Sequence, residues 1–329
     1  MVARFLARVS WSLMVSHSRE PARSLPGSLD GAGRRHASVP NRWVQSALMT
    51  DHRTDGEPLD LDGAVTVVTG ATRGIGRQVA GAVGRAGARV VLVGRTGQDA
   101  PQAKLPGTLE EVAAQLADEG IEARAVQADL SDAEATQRIV DDTLAWYGRC
   151  DVLINNAAFT SNGPLFEIPW RRWQTAFRLQ VVAPLQLCQG FVPGMLERGT
   201  GRVINVSSGA SQSLTTNLAL YSVSKLAMEH WGDYLHLEAG GRGVSFNTLR
   251  IDRLVETEGF HYVLETQGEE IATAGNGMAS VMTSAEAAEH FLWMLAQPPE
   301  WSGHTVGFDD ITALGGPPTP ARPVVAEGS

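Results

Sequence analysis

The chain has 329 residues, of which 43% are hydrophobic and 19% are charged; this supplies enough apolar material for a substantial core and excludes a disordered or coiled-coil class. The formal net charge of −9 argues against a general nucleic-acid or membrane-surface binder. Two cysteines, Cys150 and Cys188, argue against a disulfide scaffold and fit a reducing cytoplasm. We find no Cys and His spacing typical of a metal site and no run of 18 apolar residues.

The N-terminal region differs in composition from the rest of the chain. Residues 1–48 contain seven arginines, no lysine and two acidic residues, for a net charge of 7 − 2 = +5. This Arg-rich, Ser-rich and acid-poor segment resembles an organelle transit peptide; the alternative is an over-extended gene start, with Met49 as the first residue of the protein. In either case we expect residues 1–55 to carry no fold.

From Gly63 onward, short apolar strands alternate with amphipathic helices. The predicted strands are AVTVVTG, ARVVLVGR, EARAVQADL, CDVLINNAA, GRVINVSS, GVSFNTLRI and GHTVGFD. A long helix is predicted from Trp170 to Glu197 with a bend at Pro184, and another from Leu218 to Ala239. The alternation predicts an α/β fold, a Rossmann-type doubly wound parallel sheet of about seven strands in a single domain over residues 56–315. The Pro- and Gly-rich segment 316–329 is predicted to be disordered.

The stretch VVTGATRGIGRQVA, residues 67–80, carries three glycines at the turn from the first strand into the first helix. Gly70 suits a positive φ, and Gly74 and Gly76 leave room for a pyrophosphate beside backbone N–H groups. The positive end of the helix dipole favours such an anion. This stretch therefore predicts a dinucleotide-binding loop.

Five motifs in order resemble the short-chain dehydrogenase/reductase family over residues 60–310. They are TGATRGIG at 69–76, ADL at 128–130, NNAA at 155–158, INVSS at 204–208 and YSVSK at 221–225. The 13-residue separation of Ser208 and Tyr221 is the usual one in that family. The loop GQDAPQAKLPGT is similar to an element of the branch of hydroxysteroid dehydrogenase-like proteins.

The resemblance implies NAD(P)-dependent interconversion of a carbonyl and an alcohol, with Ser208, Tyr221, Lys225 and Gln180 as catalytic residues. Tyr221 would exchange a proton with the substrate oxygen, and a neighbouring Lys225 ammonium is expected to favour the phenolate. The residues expected to bind the cofactor are Gly70, Thr72, Arg73, Gly74, Ile75, Gly76, Arg95, Thr96, Asp129, Leu130, Asn156, Ala157, Tyr221 and Lys225.

Cofactor choice is predicted from charge at the end of the second strand. NAD-using relatives typically carry an acidic residue there, whereas this chain has Arg95 and Thr96, with Arg73 in the glycine loop. Two guanidinium groups suit the 2′-phosphate of NADP(H). The alternative is that one or both arginines are simply exposed. Lys104 is either a further phosphate contact or an ordinary loop lysine.

Two departures from the family pattern bear on activity. Gln180 stands where the family has an Asn that holds a water linked to the lysine, so the proton relay is expected to be shifted or weaker. Ile251 and Asp252 replace the usual Pro-Gly after the sixth strand, and Thr257 is one residue out of register for the cofactor-contacting hydroxyl. These departures motivate an alternative, a cofactor-binding protein with little turnover.

Residues 254–282 are predicted to form a substrate lid. The side chains that would make the pocket apolar are Phe159, Leu214, Phe260, Tyr262 and Met278. We therefore expect a small apolar ketone, aldehyde or alcohol as substrate and NADP(H) as cofactor, with a NAD-dependent alcohol dehydrogenase as the alternative. The expected assembly is a homodimer or homotetramer in the cytoplasm, without nucleic acid, membrane or metal.

Overall fold

The computed structural model describes residues 59–97, 106–267, 280–320 and 322–323. The expectations for residues 1–55, for Lys104 and for Met278 lie outside these ranges.

A seven-stranded parallel sheet forms the centre of the fold, in the spatial order β3-β2-β1-β4-β5-β6-β9. Its strands are β1 (Val65–Thr69), β2 (Arg89–Gly94), β3 (Ala123–Gln127), β4 (Val152–Asn155), β5 (Gly201–Ser208), β6 (Val244–Ile251) and β9 (Thr305–Val306). The central strands β1, β4 and β5 are buried along their whole length because both faces of the sheet are covered by helices. The predicted Rossmann-type α/β architecture is confirmed.

Helices lie on both faces of the sheet and build two apolar cores. One face carries α1 (Gly74–Arg85), α2 (Leu109–Asp118), α8 (Ser284–Leu295) and α9 (Phe308–Ala313). The other face carries α3 (Ala135–Tyr147), α5 (Ala183–Arg198) and α6 (Ala219–Ala239). Cys150 and Cys188 are free thiols within the second core, and burial raises the pKa of both.

The predicted long helix contains an irregularity next to Pro184, where the sequence predicts a bend. Helix α4 (Trp170–Phe177) passes into a π-helical turn at Arg178–Val182 before α5 begins. Pro184 follows this turn directly and has no N–H to donate to the carbonyl oxygen of Gln180 within it, so the distortion lies in the turn just before the predicted bend. By length and composition alone, Trp170–Arg198 would also be long enough to cross a bilayer, and 44% of its most apolar window is buried inside the fold.

A small second sheet lies beyond β6, in the order β10-β8-β7. It consists of β7 (Leu254–Glu256), β8 (Ser280–Thr283) and β10 (Arg322–Pro323), and α7 (Glu258–Gln267) follows β7. The predicted lid thus contains a strand, a helix and a second strand among its described residues. Part of the segment predicted to be disordered, Arg322–Pro323, pairs antiparallel with β8.

Candidate active site

The glycine loop connects the end of β1 to the start of α1, and two of its glycines have positive φ angles, +70° for Gly70 and +53° for Gly74. At Gly76 the reason for glycine is packing: an added Cβ would lie 2.3 Å from the Gly70 carbonyl oxygen and 2.5 Å from Asn156 Nδ2. Only glycine therefore fits at this close approach of strand and helix, as the predicted dinucleotide-binding loop requires.

Asn156 and Ala157 hold this loop from the neighbouring strand. Asn156 Nδ2 donates to the Thr69 carbonyl oxygen at 2.8 Å, and the backbone N–H groups of Asn156 and Ala157 both donate to Thr69 Oγ1 at 3.0 Å. Both residues also line the central cavity. Their contacts place them at the predicted site and show that the Asn156 side chain braces the loop.

The first helical N–H of α1 has a partner that the sequence analysis missed. Gly74 N donates to Glu258 Oε2 at 2.8 Å, so a carboxylate from the predicted lid lies at the positive end of the α1 dipole. Thr257, beside it, lies near Gly74, since a Cβ built on this glycine would be 3.0 Å from Thr257 Cγ2. Gly74 and Glu258 are 184 positions apart in the sequence, and no local pattern indicates that they pair.

Arg73, Arg95 and Thr96 come together at the end of β2. Arg73 Nη2 donates to Thr96 Oγ1 at 3.0 Å, and burial lowers the pKa of Arg73 while Glu258 raises it and Arg95 lowers it. The mutual effect of the two guanidinium groups places them within electrostatic reach of each other. Arg95 is exposed, with its Nη1 3.9 Å from Asp129 Oδ2. An anion bound here would relieve the repulsion between the two cations.

The remaining predicted cofactor residues line the same cavity. Asp129 Oδ1 accepts from the backbone N–H of Ser131 at 2.9 Å and from its hydroxyl at 2.7 Å, so one carboxylate oxygen caps the turn after β3. Leu130 and Thr72 are buried, and Ile75 is partly buried in the first turn of α1. All four residues border the cavity.

Ser208, Tyr221 and Lys225 meet where β5 ends beside the start of α6. Tyr221 and Lys225 lie one turn apart on the same helix face, and the Ser208 side chain hydrogen-bonds that of Tyr221. Lys225 Nζ lies 5.7 Å from the centre of the Tyr221 ring and donates to the Val206 carbonyl oxygen at 2.6 Å. Lys225 is almost fully buried, with 1% of its surface exposed.

The pKa values of these groups differ from the expectation drawn from the sequence. Burial raises the pKa of Tyr221 to about 12, partly offset by the hydrogen bond with Ser208. Burial lowers the pKa of Lys225 to about 7, partly offset by the charge of Glu229. The expected lowering of the Tyr221 pKa by Lys225 is therefore wrong for this structure, because desolvation outweighs the attraction of an ammonium that is itself costly to charge.

Gln180 lies in the π-helical turn, with none of its side chain exposed. Its Oε1 accepts from the backbone N–H of Phe159 at 3.0 Å, and its Nε2 donates to Ser224 Oγ at 2.6 Å. The amide thus joins the loop after β4 to α6 one residue before Lys225. This bridge fixes the position of the Gln180 side chain, and the expected shift or weakening of the proton relay stays a prediction.

Ile251 and Asp252 occupy the position of the missing Pro-Gly. Ile251 lines the cavity, and Asp252 Oδ1 accepts from the backbone N–H of Phe308 at 3.2 Å, which ties the end of β6 to α9. Burial raises the pKa of Asp252, and the hydrogen bond from Phe308 partly offsets this. Asp252 therefore makes a side-chain contact that glycine could not make.

One cavity of about 560 Å³ is lined by the glycine loop, by the two arginines Arg73 and Arg95, and by Ser208, Tyr221 and Lys225, hereafter the trio. Phe159 and Phe260 line it as predicted, together with Leu179 and Leu218. Leu214 is fully exposed, so its predicted place in the pocket is wrong, and Tyr262 in α7 is not among the described residues that line it. Within the described ranges, no group of three or more His, Cys, Asp or Glu side chains is arranged to hold a metal ion.

Comparisons with known proteins agree with this geometry. A family model described as short chain dehydrogenase matches residues 64–266. Over 282 residues the chain is 32% identical to a fatty acyl-CoA reductase of Mycobacterium tuberculosis, covering 84% of this chain and 85% of that protein. The L-sorbose reductase of Gluconobacter frateurii, solved with NADPH and L-sorbose, is 26% identical with a TM-score of 0.64 and is similar over 76% of this chain and 97% of that one. A metagenomic short-chain oxidoreductase solved with NADP is 26% identical with a TM-score of 0.61, over 76% and 99% of the two chains.

Proposed function

The chain belongs to the short chain dehydrogenase family and is a NAD(P)-dependent oxidoreductase of carbonyl and alcohol groups, and on that premise we propose that it uses NADP(H) to reduce a predominantly apolar ketone or aldehyde. The hydroxysteroid dehydrogenase-like branch stays a prediction.

The observation that carries the NADP(H) assignment is the cluster of Arg73, Arg95 and Thr96. Two cations and a hydroxyl at the end of β2 offer a 2′-phosphate both charge and hydrogen bonds. Positions 95 and 96 are Arg and Thr, so neither supplies the acidic side chain that would bind the ribose hydroxyls of NAD. The NADPH and NADP bound to two similar structures support the same choice. The glycine loop would hold the pyrophosphate, with Ile75, Asp129 and Leu130 beside the adenosine.

The trio supplies the proton chemistry. When bound, NADPH supplies the hydride that reduces the carbonyl carbon. With a pKa raised to about 12, Tyr221 is a phenol at neutral pH and is ready to give its proton to the carbonyl oxygen. Ser208 would hydrogen-bond that oxygen and orient it toward Tyr221. Lys225, with a pKa near 7, can return a proton toward Tyr221 at neutral pH.

The lining of the cavity favours an apolar substrate. Phe159, Leu179, Leu218 and Phe260 give the region beyond the trio a mainly aromatic and aliphatic surface. The relative named as a fatty acyl-CoA reductase is in line with this, whereas the reductase solved with L-sorbose binds a polar sugar. Comparing an aliphatic ketone with a sugar of similar size as substrates separates the two classes.

Assembly and location are part of the proposal. Val223, Leu226, Tyr234 and Leu237 are exposed along α6 and suit a homodimer or homotetramer. A cytoplasmic location accords with the two free buried thiols.

Parallel fluorescence titrations with NADPH and NADH test the cofactor assignment. We expect Arg73→Gln and Arg95→Gln each to weaken NADPH binding by about tenfold or more, with little effect on NADH, because each removes a charge partner of the 2′-phosphate. Arg77→Gln is the matched control, since Arg77 lies on the next turn of α1 and bonds Gln115. Tighter binding of NADH than of NADPH by the wild type would overturn the assignment.

A further inference from the structure

A buried carboxylate lies directly behind the trio and has no role in the mechanism given above. Glu229, 6% exposed, is on α6 one turn beyond Lys225 and two turns beyond Tyr221, on the same face. Its Oε1 lies 2.6 Å from the hydroxyls of Ser207 and Ser211 and 3.1 Å from Arg250 Nε. Its Oε2 accepts from Arg250 Nη2 at 3.0 Å and from Gln212 Nε2 at 3.2 Å.

Two of these partners, Ser207 and Ser211, lie on either side of Ser208 in the sequence. Ser207 precedes it on β5, and the Ser211 hydroxyl lies between Glu229 Oε1 and the Ser208 carbonyl oxygen, 2.8 Å from the latter. Glu229 therefore holds the chain on both sides of Ser208 through two short hydrogen bonds. Because Glu229 is on the helix of Tyr221 and Lys225, the same carboxylate fixes the distance between the strand end and that helix.

Glu229 also sets the charge around Lys225. Its negative charge opposes the effect of burial on the lysine pKa. The other ionisable groups here are Tyr221 on α6 and Arg250 on β6, which pairs with Glu229. Removing the Glu229 charge would leave the Arg250 cation without this partner and withdraw an anion one helical turn from Lys225, and both changes disfavour the ammonium.

We propose that Glu229 is a positioning residue for the reaction: it holds Ser208 in register with Tyr221 and places a buried carboxylate one helical turn from Lys225. It acts through these residues and does not itself reach the cavity lining. The proposal rests on the proposed function only for its kinetic consequence.

The kinetic test compares Glu229→Gln with the wild type. Because a displaced Ser208 no longer aligns the substrate oxygen, we expect kcat to fall by about 10- to 100-fold, while the dissociation constant of NADPH changes less than about twofold. Glu238→Gln makes the same chemical change at an exposed position on the same helix and should leave both values unchanged. A folded Glu229→Gln variant with wild-type kcat would overturn the positioning role.

The electrostatic part has a readout that needs no turnover. The chain has only two lysines, Lys104 and Lys225, so lysine labelled with 13C at Cε gives two NMR signals, and Lys104→Arg leaves only that of Lys225. We expect the Lys225 pKa to be about one unit lower in Glu229→Gln than in the wild type. An unchanged pKa would overturn this part. A wild type inactive on carbonyl substrates would count against the proposed function, while this titration still decides the charge effect.

A milder variant covers the case in which Glu229→Gln does not fold. Ser211→Ala removes the hydroxyl between Glu229 and the Ser208 carbonyl oxygen and leaves every charge in place. We expect it to lower kcat several-fold without changing the Lys225 titration. Wild-type kcat in Ser211→Ala would overturn the positioning role.

Discussion

The two ends of the cavity are built differently. At the trio, the contacts join neighbouring elements: Lys225 reaches Val206 and Glu229 reaches Ser207, across 19 and 22 residues, and all these groups except Tyr221 are almost fully buried. At the glycine loop, Gly74 bonds Glu258 across 184 residues, and Arg95 is exposed. The proton-transfer end is therefore fixed by the core, whereas the cofactor end has a partner from the predicted lid.

Because the two ends are built differently, we expect substitutions to change the chemical step and cofactor binding separately. Loss of the Ser208 or Tyr221 hydroxyl should change kcat with little effect on cofactor affinity, because these hydroxyls face the substrate oxygen in the proposed mechanism and are held by β5 and α6. A substitution at the lid contact should change cofactor affinity with little effect on kcat, because the lid carboxylate and the cofactor pyrophosphate would compete for the same N–H. The following variants test that separation.

The largest effect is expected for Tyr221→Phe. Removing the phenol hydroxyl removes the proton donor, so kcat for carbonyl reduction should fall by about 10³-fold, with NADPH affinity within about threefold of wild type. Tyr234→Phe, an exposed tyrosine on the same helix, is the control. Steady-state turnover and a fluorescence titration on the same preparations give both numbers. Equal turnover by Tyr221→Phe and wild type would show that the proton comes from elsewhere.

An intermediate effect is expected for Glu258→Gln. This change removes an anion from the positive end of α1 and from the vicinity of Arg73, so NADPH should bind about fivefold more tightly, by ~1 kcal/mol. Glu256→Gln, two residues earlier and exposed, should bind as the wild type does. Weaker NADPH binding by Glu258→Gln would mean that the carboxylate assists the cofactor, and the separation would fail at this end.

The smallest effect is expected for Gln180→Asn, which installs the residue usual in the family. The shorter amide cannot reach both the Phe159 N–H and Ser224 Oγ, so one buried polar group loses its partner. We expect the free energy of unfolding to fall by about 1–2 kcal/mol in chemical denaturation. Gln189→Asn, at an exposed position of α5, corrects for helix propensity. If Gln180→Asn is as stable as Gln189→Asn, the Gln180 bridge does not contribute to the free energy of unfolding.

The sequence predicted those features that depend on local spacing. The seven strands, the glycine loop and the alignment of Tyr221 with Lys225 follow from hydrophobic period and helix geometry, and the structure has them all. The Glu258 contact depends on which distant segments meet, and no local pattern carries that information. The sequence shows the charge of Lys225, which predicts a lowered pKa for Tyr221. It does not show the burial of the Tyr221 hydroxyl, which raises that pKa in the structure.

Strand β10 bears on how this site can vary between related proteins. Its two residues form the edge of the small sheet, next to β8, which in turn lies beside β7 at the start of the predicted lid. The backbone about a hundred residues beyond Tyr221 thus pairs with β8, whose neighbour β7 contributes Leu254 and Val255 to the lining of the cavity. Substrate preference can consequently diverge through changes in this C-terminal segment, while the residues that perform the chemistry and bind the cofactor stay the same.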